Sequence, residues 1–168
     1  MLQHLFVAAG ILSSMLAATP PAIRLPRITI LKGSSASTVD VNLTSERRRL
    51  LAVDRAHDVI LDLDGIEAER SPAVFFEVYI HAKNAARKRS AGNVALFGQG
   101  IRGETRAFRP AHMQLVITDD LREALRRSPV IAITFVAQGA SGLPSPPRSA
   151  SAVVIGRPSI VIAPSTRQ

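Results

Sequence analysis

Three runs near the middle of the chain alternate apolar and polar positions with a period of two. In residues 59–64, Val59, Leu61 and Leu63 alternate with Ile60, Asp62 and Asp64, and Gly65 breaks the run. After Pro72, residues 75–81 put Phe76, Val78 and Ile80 on one side and Phe75, Glu77, Tyr79 and His81 on the other. A basic connection over 83–90 leads to Gly92, and a third run at 94–97 is closed by Gly98 and Gly100. Successive side chains of a strand point to opposite faces, so this period predicts antiparallel strands that each bury one face. Glycine and proline mark the connections between them.

The same reading extends along the chain. Residues 20–37 are rich in proline and serine and read as an extended linker carrying a short strand at 28–31. Residues 39–43 form a strand with Val39, Val41 and Leu43 on one face, and 45–54 a loop or a single helical turn. A Gly/Arg-rich stretch at 98–110 is a long loop. It is followed by a strand at 112–117 with Met113, Leu115 and Ile117 together. Thr118 is placed to cap a short helix over 119–127. Asp119 and Asp120 lie at its positive end and Arg126 and Arg127 at its negative end, as the helix dipole favours. Residues 130–137 are almost continuously apolar, the mark of a central strand. Beyond a Pro/Ser loop at 139–149, residues 152–155 and 159–162 are two strands, or one strand bent at 156–158. About eight strands and one short helix describe an all-β antiparallel sandwich or jelly roll over residues 36–164, preceded by an apolar segment and linker over 1–35.

Composition narrows the chemistry. Hydrophobic residues make up 46% of the chain and aromatics 4%, so Val, Ile, Leu and Ala must fill most of the core. The absence of cysteine excludes disulfides, thiolate metal sites and thiol nucleophiles, and leaves the redox compartment open. The net charge of +8 is nearly all arginine, with runs at Arg47 to Arg49, Arg87 to Arg89, Arg102 to Arg109 and Arg122 to Arg127. Nucleic-acid binding asks for bases on one face with aromatics to stack on; one Tyr and no Trp favour a solvated basic surface instead. The uncharged run at 5–18 has the length of a signal-peptide core and falls short of the roughly 20 apolar residues of a membrane span. Residues 1–4 carry no Lys or Arg, and no clean A-x-A site precedes Pro20 and Pro21. The run is read as an export signal, which would place the protein outside the cytoplasm or in a periplasm. The alternative is an internal segment of a longer, cytoplasmic protein.

Candidate chemistry is sparse. No two of His4, His57, His81 and His112 are spaced as a helical metal pair. His81 and His112 sit on predicted strands and could meet across a sheet, but two histidines without a third ligand make a weak site. Asp62 and Asp64, with Glu67 and Glu69 beyond, could serve acid–base work or calcium. Their alternation with Val59, Leu61 and Leu63 assigns them to a solvent face instead. No G-x-S-x-G, P-loop or dinucleotide fingerprint occurs, and Gly98-Gln99-Gly100 lacks the strand-to-helix context. The residues alone point to no catalytic, cofactor or metal site in this chain.

The order of the motifs does carry a resemblance. VILDLDGIEAERSPAVFFEVYI, SAGNVALFG, LVITDDLREAL, VIAITFVAQGA and VVIGRPSIVI, in that order, resemble the C-terminal β-sandwich domain of tyrosinases and polyphenol oxidases. The similarity spans roughly residues 36–162. That family consists of type 3 copper oxidoreductases, and the helical domain whose six histidines bind the copper has no counterpart here. The resemblance implies a lid that packs over a copper site, keeps a proenzyme latent and assists copper loading. The copper would belong to an associated oxidase domain, in the same longer chain or in a separate protein. The lid of the family places a side chain at the entrance of the active site. By that resemblance, Gly92, Phe97, Gly98 and Gly100 form the partner-contact loop.

Three functions therefore stand. The chain is the lid domain of a tyrosinase-like oxidase, or an exported β-sandwich binding module without a copper connection, or an independent jelly-roll hydrolase. The missing acid–base constellation argues against the third.

Overall fold

The computed structural model describes residues 22–30, 34–52, 56–69, 74–86, 88–95, 101, 109–139 and 152–165. Two antiparallel sheets pack face to face. The first holds β1 (Ala22–Arg24), β2 (Ile28–Ile30), β4 (His57–Glu67), β7 (Ala111–Val116) and β9 (Val153–Pro164). Its order is β1-β9-β4-β7, with β2 following β1 along the same edge of β9. The second sheet holds β3 (Ala36–Asn42), β5 (Phe75–Ala82), β6 (Arg89–Val94) and β8 (Val130–Gln138), in the order β3-β8-β5-β6. Two helices, α1 (Ser45–Leu51) and α2 (Thr118–Arg127), join strands of one sheet to strands of the other.

The period-two reading of the faces holds where it was sharpest. Val59, Leu61 and Leu63 are buried while Ile60, Asp62 and Asp64 face outward, and Phe76, Val78 and Ile80 are buried against them. The apolar run at 130–137 is β8, which pairs with β3 on one side and β5 on the other. Its Ile131, Ile133 and Phe135 lie in the core.

Several expectations change. β2 is the short strand expected at 28–31, but with β1, which was not expected, it joins the first sheet, where Ile23, Ile28 and Ile30 are buried against β9. Gly65 does not break β4. It adopts φ +70 at a register shift between Asp64 and Ile66, so the strand bulges and runs on to Glu67. Of the two alternatives for residues 152–162, the single strand holds, as β9. Residues 45–51 form a seven-residue helix, capped by Thr44, whose hydroxyl accepts from the Arg47 N–H at 3.3 Å. β6 begins at Arg89, earlier than expected, because the β5 chain turns at once through Asn84 at φ 66. Thr118 does not cap α2 with its side chain. A buried carboxylate recruits it: Thr118 donates to Asp58 Oδ1 at 3.0 Å and accepts from the Val59 N–H at 2.9 Å.

Candidate partner-contact surface

Of the predicted contact residues, only Gly92 is among those described; Phe97, Gly98 and Gly100 lie outside them. Gly92 belongs to β6 itself, at φ +143, beside the register shift between Val78 and Tyr79. A Cβ there would sit 3.0 Å from Leu115 Cδ2 on β7, so the glycine lets the edges of the two sheets approach. Val94, which ends β6, and Ile101, which bridges to Ala68, are both buried. The chain is thus anchored in the core on either side of residues 96–100.

The histidines are separated. His112 is on β7 in the first sheet and His81 on β5 in the second, so they do not meet across one sheet. His81 is buried, with Nε2 2.9 Å from Thr134 Oγ1 and Nδ1 3.0 Å from the Ala82 carbonyl. Thr134 Oγ1 in turn lies 3.0 Å from Thr38 Oγ1, which ties β5, β8 and β3 together. His112 Nε2 contacts Asp62 Oδ1 at 2.6 Å, and Gln114 donates to the same oxygen at 2.9 Å. Asp64 pairs with Arg157 at 2.8 Å. Among the described residues no group of three or more His, Asp or Glu is placed to hold a metal ion. His4 lies outside them.

Two features escaped the sequence reading. On the outer face of the second sheet, the Glu77 carboxylate accepts from Gln138 Nε2 at 3.0 Å. Hydrogen bonds from Tyr79, then Ser90 and Gln138, hold its pKa below the ordinary carboxylate value, and the bond to Glu77 raises that of Tyr79. The second feature is a cleft of about 490 Å³ between the end of β5 and α2, where Lys88, Arg89 and Arg127 face Asp120 and Glu123. Desolvation pushes the Asp120 carboxyl up, with Arg89 at 3.7 Å opposing. Its lining comes from two stretches far apart in the chain, 80–89 and 120–127, so no local pattern announces it. It joins neither a nucleophile to a base nor a set of metal ligands.

No known protein family and no curated protein matches the chain. Among solved structures it is similar to latent aurone synthase, a polyphenol oxidase, from natural source. The identity is 12%, 84% of this chain and 25% of that one are covered, and the TM-score is 0.42. Against recombinantly expressed latent aurone synthase the identity is 13%, with 87% of this chain and 26% of that one covered and a TM-score of 0.41. The chain spans about a quarter of the length of the polyphenol oxidase chains it matches. Both are polyphenol oxidases, the family whose C-terminal domain the ordered motifs resemble.

Proposed function

We propose that this chain is an accessory domain of a tyrosinase-like type 3 copper phenol oxidase, covering its active site and without catalysis of its own. One observation carries the reading. The five motifs of the resemblance fall in order on β4 and β5, on β6, on β7 with α2, on β8 and on β9, and together build one sandwich. Two of the three described histidines are a poor fit to copper: both ring nitrogens of His81 have protein partners, and His112 is held by Asp62. The metal belongs to the oxidase partner. The contact falls to the segment around Phe97, which lies in the chain between the buried Val94 and Ile101. Export is part of the proposal and rests on the apolar run at 5–18; the mature N-terminal residue of the secreted protein tests it.

The deciding experiment titrates the chain onto a copper-loaded tyrosinase-like oxidase domain while phenol oxidation is followed. A stoichiometric complex with slowed oxidation is expected, relieved when Phe97 is changed to Gly. Absence of a complex, or a complex that leaves oxidation untouched, overturns the reading and favours a binding module unconnected with copper.

A further inference from the structure

The outward face of the first sheet is ordered into rows by strand register. Ala22 pairs with Val161, Val161 with Ile60, and Ile60 with Val116, so four strands place four apolar side chains side by side. At the usual strand spacing that row is about 14 Å long. An antiparallel sheet with one face on the core normally presents polar residues on the other. Here Val116 is 44% exposed, one of two large hydrophobics so exposed among the described residues. Further along the same strands, Asp64 of β4 pairs with Arg157 of β9, their charges 2.8 Å apart and well exposed. Between the two rows lies a shallow hollow of about 460 Å³, lined by Arg24, Asp62 and Ser159 and extending past Arg157 to Gly156.

We infer that this face is a self-association surface whose occupant is a second copy of the same chain. The argument is one of self-complementarity. A two-fold axis running parallel to the strands, between β9 and β4, exchanges those two strands and exchanges β1 with β7. It lays Val161 over Ile60 of the second copy and Ala22 over its Val116, burying the apolar row against itself. The same operation lays Arg157 over Asp64 of the second copy. Two carboxylates and two guanidiniums then alternate around the axis, and each arginine reaches toward the opposing hollow. Such an interface is isologous and closed, so association stops at the dimer. Face-to-face sheets pack about 10 Å apart, a gap that apolar side chains from both copies fill. The proposal is independent of any oxidase.

Sedimentation equilibrium of the full 168-residue chain tests it. The wild type is expected to dimerise with rising concentration. Val116→Asp, which would bury two unpaired carboxylates, is expected to stay monomeric with a native circular dichroism spectrum. The second arm uses charge. Asp64→Arg alone places four like charges around the axis, and Arg157→Asp alone does the same with the opposite sign, so each is expected to be monomeric. An equal mixture of the two is expected to restore a one-to-one dimer, which no effect within a single copy can produce. A monomeric wild type overturns the inference, as it would be if another part of the chain or a different protein covered the row. So does a dimeric Val116→Asp, or a charge mixture that stays monomeric.

Discussion

The outer faces of the two sheets differ more than their strand patterns do. On the second sheet, long-range side-chain hydrogen bonds knit the surface: His81 with Thr134, Thr134 with Thr38, and Glu77 with Gln138. Thr134 and Gln138 are as buried there as core residues, although they point away from the core. On the first sheet the polar contacts lie at the surface, Asp62 with His112 and Gln114 and Asp64 with Arg157, and they stand beside an apolar row. One face ties most of its polar groups together across its strands, with Gln138 Oε1 left buried without a partner and Lys83 paired with Asp40 at 2.7 Å. The other leaves an apolar row exposed beside its paired surface charges. Alternation alone therefore says which residues leave the core, and nothing about how complete a surface they make.

Changes to the core shared by both sheets should have the largest effect. Phe76→Ala empties a fully buried site and is expected to destabilise by about 3–5 kcal/mol, read as a drop in the denaturant midpoint. An unmoved midpoint would contradict the packing of β5 against the first sheet. Next comes the hydrogen-bonded face. Thr134→Val keeps the shape, removes the hydroxyl from His81 and Thr38, and is expected to cost about 1–3 kcal/mol. A neutral result would mean the network adds nothing to packing, and the contrast between the faces would collapse.

A smaller effect is expected from acid. The Glu77 pKa is lowered in the fold, so its carboxylate binds protons more readily once unfolded. Its contribution is complete above the ordinary carboxylate pKa and disappears as pH falls through the lowered folded value. The stability gap between wild type and Glu77→Gln should therefore be widest near neutrality and close in acid; a gap constant with pH would refute the cause assigned. The smallest effect belongs to the first sheet's surface. His112→Ala removes an exposed pair and is expected to cost less than about 1 kcal/mol in thermal unfolding. A cost comparable to that of Thr134→Val would erase the distinction drawn between the two faces.

The candidate contact surface was only partly legible. Phe97, Gly98 and Gly100 come from the family resemblance and lie outside the described residues, whereas Gly92 proves to be a strand residue that admits Leu115. Glycine in a sequence marks freedom of the backbone, and a bulge or a loop uses that freedom equally well. The same ambiguity explains Gly65, read as a break and found as a bulge within β4.

The sequence by itself determined which faces are buried: Val59, Leu61 and Leu63 inward, and Phe76, Val78 and Ile80 to meet them. It also placed β8 at the interior of a sheet, and it carried α2 in its charges. These follow from local rules, since the direction of a side chain depends on its own strand and on the alternation around it. Only the tertiary structure decided that β1 and β2 belong to the first sheet, that Asp58 claims Thr118, and that Ala22, Val161, Ile60 and Val116 form one row. Strand order and register join residues far apart in the chain, and nothing in the local pattern of either partner specifies the other.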